Sequence, residues 1–323
     1  MAKFSETRTF GVEIEVTTSL RYSALETAIN AEFQARGINQ TCNYMGYSHE
    51  TMRQWKIVPD GSVRGWEVVS PPMSGFNGKA EIEAVCKALQ SIEVSVDRST
   101  GLHVHHDAAD LTGRQIGAVV TTYAANQSVI NYMVSPSRRG NGYGASLNYN
   151  VVTNNGRDKF GTVFNHNSRI DAERKILSRL GRYGSTRYNA VNLVALRDHG
   201  TIEFRQHQGS IDATKIWNWV VFTQSMMEAS KEISRMPKAI NIDKDYPRGV
   251  FNQMRWVTGV APWANNGDKE GSKVYMDTYK YYARRFKDFA QHDNLNPMSL
   301  RNESDWNSIN NYGWSNSNTG EQA

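Results

Sequence analysis

The chain has 323 residues, 39% of them hydrophobic and 21% charged, so it can bury a sizeable core in one large domain or two closely joined ones. The formal charge of +5, without a long Lys/Arg run, suits an anionic substrate such as a nucleotide and argues against nucleic acid as the main partner. Because there is no apolar signal core, no membrane span and only two cysteines, Cys42 and Cys86, we expect a cytoplasmic protein with free thiols and no membrane partner.

Apolar periodicity predicts strands and helices in alternation through the first 134 residues. We expect Gly37 to end the first helix and Asp110 to cap the third helix. In chain order, the predicted elements are a strand over 8–17, a helix over 22–36, paired strands over 53–58 and 65–70, a helix over 78–92, a strand over 101–107 and a helix over 113–134.

The second half begins with a Gly-, Asn-, Ser- and Arg-rich stretch over 135–168, which is predicted to be a long, partly mobile loop. The remainder is helical in patches, with aromatic residues at helical spacing that we expect to pack onto the body, and with a loose tail after 295. Between the loop over 135–168 and this C-terminal remainder, the predicted elements are a helix over 170–181, a strand pair over 187–197 and 199–207, and a helix over 212–235. This order predicts an α+β fold with one mainly antiparallel sheet and helices on one face.

Several predicted strands carry polar residues at positions i and i+2, which share one face of a strand. In the first strand, for example, Glu13 and Glu15 alternate with the apolar Val12, Ile14 and Val16. The apolar faces can pack on helices, so the polar residues should gather on the opposite face. That face is predicted to hold Glu13, Glu15, Glu67, His103, His105, Glu203 and Arg205.

Each of these pairs alone is commonly a solvated sheet face or a surface ion pair. Together they crowd at least four carboxylates, which repel one another unless cations lie among them. Glutamate oxygens with some histidine nitrogen and no cysteine suit Mg²⁺ or Mn²⁺, with Zn²⁺ as the competing ion. Two or more such ions with an arginine can clamp a transferring phosphoryl group.

The segment SRRGNGYG at 137–144 is a second candidate for phosphate binding. Backbone amides near Gly140 and Gly142 and the guanidinium groups of Arg138 and Arg139 can bind a nucleotide's phosphates. The segment contains neither GK[ST] nor GxGxxG, and a plain surface loop is the alternative.

Four segments resemble the amidoligase family of the glutamine synthetase and glutamate–cysteine ligase superfamily. The resemblance spans residues 8–235, and the last segment is the longest and most specific. The segments are FGVEIE at 10–15, DGSVRGWEVVSPP at 60–72, GLHVHHD at 101–107 and RYNAVNLVALRDHGTIEFRQHQGSID at 187–212.

The resemblance implies an ATP-dependent carboxylate–amine ligase that uses Mg²⁺, or Mn²⁺, and an acyl-phosphate intermediate. It implies a glutamine synthetase-like curved sheet lining the active site, in a catalytic domain over 1–235. Residues 236–323, predicted to be a helical extension with a loose tail, depart from the family pattern, so the identity of the substrates does not carry over. The implied substrates are a small-molecule or peptide carboxylate and an amine, and such proteins occur in bacterial and phage genomes.

The resemblance also implies a role for each matching residue. The implied metal ligands are Glu13, Glu15, Glu67, His103 and Glu203. His105 is the implied histidine on the phosphate side, and Arg205 is the implied arginine that faces the phosphate and the acyl group. The implied substrate- or nucleotide-side residues are Arg187 and Asn192.

Two other functions fit the same residues. A metal-dependent hydrolase or phosphatase would use these carboxylates and histidines without needing an amine acceptor. A non-catalytic protein retaining the fold would fail to bind nucleotide. The sequence specifies neither the two substrates nor the oligomeric state.

Overall fold

The computed structural model describes residues 5–140, 142–153, 169–180, 186–233, 237, 239 and 269–292. Within these residues lies a seven-stranded sheet of order β2-β3-β4-β1-β5-β7-β6. Neighbouring strands are antiparallel except β2 and β3, which are parallel. The strands are β1 Phe10–Thr17, β2 Cys42–Tyr44, β3 Trp55–Val58, β4 Gly65–Val69, β5 Gly101–Asp107, β6 Val191–Asn192 and β7 Thr201–Gln208. The predicted α+β class with a mainly antiparallel sheet is confirmed.

The first two helices begin and end close to the predicted positions. Helix α1 buries Leu25, Ile29 and Phe33 along one stripe, and Gly37 follows its end at φ +63°, a backbone conformation that favours glycine. The helices are α1 Tyr22–Ala35, α2 Gly75–Gln90, α3 Gly113–Ala125, α4 Gln127–Ile130, α5 Tyr149–Val152, α6 Arg169–Leu180, α7 Val194–Asp198, α8 Ala213–Ser230 and α9 Lys269–His292. Over the described ranges, none of these helices combines the length and apolarity needed to cross a membrane.

The apolar face of the sheet packs on the helices. Val12, Ile14 and Val16 of β1 are fully buried and share one core with Tyr123 of α3 and Trp219 of α8. Each such side chain contributes roughly 1.5–3 kcal/mol by leaving water. Because side chains alternate along a strand, burying this face turns Glu13 and its polar neighbours to the other face.

Helix α9 packs on α8, as expected for its aromatic residues. The Tyr282 ring centroid lies 5.3 Å from that of Phe222 and 6.3 Å from that of Trp219. Tyr279 and Phe286 are also buried. Most of residues 236–268 and the tail after 292 lie outside the described residues, so the domain boundary at 235/236 stays a prediction.

The predicted cap at Asp110 is wrong. Thr112 caps α3 instead, in a reciprocal capping box with Gln115. Asp110 binds Arg8 and Lys231. The predicted helix over 113–134 is also interrupted at Asn126, whose side-chain amide donates to the backbone oxygen of Thr122, and α4 continues beyond it.

The predicted strand over 187–197 is mostly wrong as well. Only Val191–Asn192 pair with β7, and Val194–Asp198 form the short helix α7. The side-chain oxygen of Asn192 accepts from the backbone nitrogen of Val194 at 2.9 Å. This local bond turns the chain into α7, which the apolar pattern alone did not indicate.

The stretch predicted as a loop over 135–168 is partly ordered. A 3₁₀ turn covers Pro136–Arg138, and α5 begins at Tyr149 with Asn148 as its cap. Residue 141 and residues 154–168 lie outside the described residues, so the mobility predicted there is untested.

Candidate active site

Antiparallel pairing brings the predicted polar residues together from four adjacent strands. Glu13 of β1 lies opposite His103 of β5, and Glu15 lies opposite Glu67 of β4. His105 lies opposite Glu203 of β7. The order β4-β1-β5-β7 therefore assembles one cluster of carboxylates and imidazoles on the face away from the core.

His103 is the centre of this cluster. Its Nδ1 lies 2.9 Å from Oε2 of Glu13 and 3.7 Å from Oε1 of Glu203. Its Nε2 lies 3.6 Å from Oε1 of Glu15. The His103 side chain is buried, so its ring is held among three carboxylates.

Glu203 is fixed from both sides. Asn192 Nδ2 donates to Oε2 of Glu203 at 2.6 Å, and the Arg205 guanidinium binds the other oxygen, Oε1. His105 Nε2 lies 3.7 Å from that same Oε1 and 3.2 Å from Oε1 of Glu13. The Nδ1 of His105 lies 2.9 Å from the hydroxyl of Thr201, which orients the ring.

The carboxylates of the cluster differ in their electrostatics. Burial favours the neutral form of Glu13, but His105 and His103 outweigh it and hold the pKa well below its ordinary value. Burial likewise opposes ionisation of Glu203, but Arg205 and then His105 lower its pKa. Burial and the charges of Glu13 and Glu15 outweigh the opposing charge of Arg205 and raise the pKa of Glu67 well above its ordinary value. A bound divalent cation would favour the ionised form of all of them together.

The donor set fits divalent metal ions. Two groups of three residues, Glu13–His103–Glu203 and Glu15–Glu67–His103, each offer ligand atoms within 4.8 Å of one another. We call them the first and second triads. The buried Nε2 of His105 beside them has no hydrogen-bond partner of good geometry among the described residues. Carboxylate-rich sites with one histidine suit Mg²⁺ or Mn²⁺. Because a neutral imidazole has one acceptor nitrogen, His103 can serve only one triad at a time.

A cavity of about 200 Å³ opens beside the first triad. We call it the histidine cavity, because it is lined by His105 and His199, whose rings meet edge to face at 6.0 Å. Val69 and Pro72 add apolar wall. A small ligand group bound in this cavity would contact both apolar side chains and imidazole nitrogens.

A second cavity of about 360 Å³ opens beside the second triad. We call it the arginine cavity, because Arg138, Arg187 and Arg205 line it together with Glu15 and His103. Glu67, Ser48 and His49 line both cavities. The two triads therefore lie between the histidine cavity and the arginine cavity.

The residues of SRRGNGYG are not all brought to the cluster. Arg138 lines the arginine cavity, whereas Arg139 donates from Nε to the backbone oxygen of Asn131 and lies 4.4 Å from the Tyr132 ring centroid. Gly140 and Gly142 have no heavy atom within 4 Å of where a Cβ would stand. The predicted phosphate contact of Arg139 is at odds with this orientation.

Sequence reasoning missed Lys56 as a residue of the site. Lys56 lies on β3 between the buried Trp55 and Ile57, so the same strand alternation that revealed Glu13 could have found it. Its Nζ donates to the backbone oxygens of Ser48 at 2.9 Å and Glu50 at 2.7 Å. It thereby holds the segment over 48–52 as a wall of the histidine cavity, and burial lowers its pKa.

The chain has matches among both family models and solved structures. A family model described as "Putative amidoligase enzyme" matches residues 6–227. Among solved structures, the chain is similar to one titled as the complex between the prokaryotic ubiquitin-like protein Pup and its ligase PafA, with 10% identity and a TM-score of 0.41. The match covers 88% of this chain and 64% of that one, so the chain spans less than two thirds of its length. No curated protein sequence matches.

Proposed function

Because the chain belongs to the amidoligase family, we propose that it is an ATP-dependent carboxylate–amine ligase that acts through an acyl phosphate. One observation carries the proposal: two carboxylate triads share His103 and lie between two cavities, one of them lined by three arginines. Such an arrangement would let an anionic nucleotide and a carboxylate meet at metal ions held by one cluster of side chains.

The chemistry of the proposed reaction explains why two cavities, one for each substrate, would be needed beside the metal ions. A carboxylate oxygen is a poor leaving group, so the acid must first take the γ-phosphoryl group of ATP and become an acyl phosphate. The amine nitrogen then attacks the acyl carbon, and phosphate leaves with the electron pair of the broken C–O bond. Mg²⁺ or Mn²⁺ ions, held by Glu13, His103 and Glu203 and by Glu15 and Glu67, would neutralise charge on the phosphates.

The chain's own residues position the reacting groups. Arg205 is held beside the cluster by Glu203 and by the backbone oxygen of Tyr143, which accepts from Nε at 3.3 Å. Its planar guanidinium can orient a carboxylate or a moving phosphoryl group. His105 Nε2 lies 3.7 Å from the same Oε1 of Glu203, with its ring fixed by Thr201.

Water must be kept from an acyl phosphate until the amine arrives. The segment over 48–52, which Lys56 holds by the oxygens of Ser48 and Glu50, forms part of the wall of the histidine cavity. We propose that this wall limits hydrolysis.

The test is an ADP-release screen of the purified chain over pairs of carboxylic acids and amines with Mg²⁺. Release of ADP that requires both an acid and an amine is expected. Phosphate release without an amine requirement would favour a metal-dependent hydrolase, and failure to bind ATP at all would favour a non-catalytic binding protein.

A further inference from the structure

Helix α9 contacts the segment over 131–139, which leads into the arginine cavity. The Nε of Arg285 donates to the backbone oxygen of Met133 at 2.8 Å. The neighbouring Phe286 ring meets the Tyr132 ring edge to face, with the two centroids 5.6 Å apart. The helix therefore holds two consecutive residues of the segment, one by its main chain and one by its side chain.

Phe289, near the end of α9, contacts two cations. The guanidinium carbon of Arg285 lies 4.8 Å from its ring centroid, and that of Arg139 lies 5.5 Å from it. The Arg139 guanidinium also lies 4.4 Å from the Tyr132 ring centroid. Because an aromatic face attracts a cation at such distances, the ring of Phe289 provides a seat for Arg139 on α9.

Arg139 directly follows Arg138, but the two side chains go to different places. Arg138 is 2% exposed, lines the arginine cavity and donates from a terminal nitrogen to the backbone oxygen of Arg205 at 3.1 Å. The 3₁₀ turn over Pro136–Arg138 is closed by the backbone nitrogen of Arg139, which donates to the oxygen of Pro136 at 3.1 Å. Because a single turn connects them, the seat of Arg139 limits where Arg138 can reach.

Strand β7 holds the same segment by side-chain amides. The backbone nitrogen of Ser135 donates to Oε1 of Gln208 at 3.1 Å, and Oδ1 of Asn131 accepts from Nε2 of Gln206 at 2.7 Å. The backbone oxygen of Asn131 in turn accepts from Nε of Arg139 at 2.6 Å. The contacts from β7 and those from α9 therefore meet at Arg139.

From these contacts we infer that helix α9 is a positioning element of the active site, and that Phe289, by seating Arg139, keeps Arg138 in the arginine cavity beside the second triad. Phe289 lines neither of the two cavities, so it acts through its neighbours and touches no reacting group.

This role goes beyond the family match, because α9 lies outside the matched residues 6–227. The inference rests on the proposed ligase function only for the use of Arg138, which would bind an anionic group of a substrate. The placement of Arg138 by α9 can be measured without turnover.

The experiment is modification of the full chain by phenylglyoxal, with the rate at Arg138 read by mass spectrometry. Phe289→Leu keeps an apolar side chain but removes the ring face, so Arg138 should react at least about threefold faster than in the wild type. Phe289→Tyr keeps the ring and should keep the wild-type rate. Phe222→Leu is the matched control: Phe222 of α8 packs on Tyr282 of α9 with centroids 5.3 Å apart, so the variant weakens the packing of α9 and leaves the Phe289 ring in place.

Kinetics separates positioning from a loss of stability. With an acid and an amine that support ADP release, Phe289→Leu should raise the KM of one substrate at least about threefold and leave kcat nearly unchanged. Arg138→Gln should raise the same KM. Combining Phe289→Leu with Arg138→Gln should add nothing to Arg138→Gln alone, because two changes that act through one contact are not additive.

Equal modification rates of Arg138 in Phe289→Leu and Phe222→Leu would overturn the inference, and so would additive KM effects in the combined variant. If thermal melts show that Phe289→Leu does not fold, Arg285→Gln takes its place, because it removes the donor to Met133. Absence of ADP release with every acid and amine pair would overturn the proposed function, whereas the modification rates would still decide whether α9 positions Arg138.

Discussion

Asn192 donates its side-chain amide to Oε2 of Glu203 at 2.6 Å, which leaves Oε1 of that carboxylate to face the cluster. Asn192 is itself held by the backbone nitrogen of Val194, which donates to its oxygen at 2.9 Å. The short helix α7 therefore sets the orientation of a candidate metal ligand on the next strand.

Asn192→Ala should weaken metal binding without removing a ligand. Residues that orient metal ligands typically contribute about 10–100-fold in affinity, and we expect a loss in that range for Mn²⁺. Titration followed by electron paramagnetic resonance measures it directly. Unchanged Mn²⁺ affinity in a folded Asn192→Ala protein would show that Glu203 needs no such support.

Removing the metal should weaken ATP binding. Without divalent cations the triphosphate would meet the carboxylates of both triads, which repel it. Calorimetry should therefore show tighter ATP binding with Mg²⁺ than with a chelator, and Glu203→Gln should remove most of that gain. Glu83→Gln serves as the charge-matched control, because Glu83 pairs with Lys79 on the surface of α2 at 3.2 Å. Equal ATP affinity in chelator and Mg²⁺ would contradict metal-assisted binding.

Arg205 should be required for activation of the acid. With ATP, Mg²⁺ and the correct carboxylic acid, hydroxylamine should trap an acyl hydroxamate, since an acyl phosphate is electrophilic enough to react with it. Losing a preorganised contact to the transferring group costs about 10²–10³ in rate. Arg205→Lys keeps the charge but loses the planar fork, so it should not restore full activity.

The control for Arg205→Lys is a thermal melt. The Arg205 side chain is 12% exposed and lines the arginine cavity, so the variant should still fold. Accumulation of AMP with no hydroxamate, using the true acid substrate, would instead indicate adenylation.

Asp110 should stabilise the fold in a pH-dependent way. Burial disfavours its charge, but hydrogen bonds from Arg8 and Lys231 outweigh burial and lower the pKa of Asp110 below 3.8. Because the folded-state pKa is the lower one, the stabilisation is complete above pH 3.8 and is lost as pH falls through the folded value. Asp110→Asn should therefore lower Tm at pH 7, and the gap from wild type should close in acid.

Asp198→Asn is the control for this titration. Asp198 contacts the adjacent Arg197 at 3.0 Å, and both are exposed, so its loss should change Tm little. A gap between wild type and Asp110→Asn that stays constant from pH 7 to below pH 3.8 would exclude the ionised carboxylate as the cause.

The predictions of helix and strand boundaries were wrong where polar side chains bind nearby backbone atoms. The strand predicted over 187–197 shrank to Val191–Asn192 because Asn192 turns the chain into α7. Thr112, and not Asp110, caps α3 because Gln115 completes the capping box, while Asp110 is drawn to Arg8. Hydrophobic periodicity contains no information about such bonds.

The amino-acid sequence by itself determined which side chains share a face. Alternation with period two separates Glu13 and Glu15 from Ile14, and Glu203 from Phe204, whatever the strands pair with. Because the apolar residues must leave water, the polar face of each strand followed without knowledge of the partner strand.

Only the tertiary structure decided which of these residues meet. Strand register is a long-range property, and it places His103 against Glu13, which is 90 residues distant along the chain. The tertiary packing also separates two adjacent arginines outside the strands: Arg138 lines the arginine cavity, and Arg139 packs on Tyr132. A loop has no periodicity that assigns its side chains to a face, so the packing of the folded chain had to make that choice.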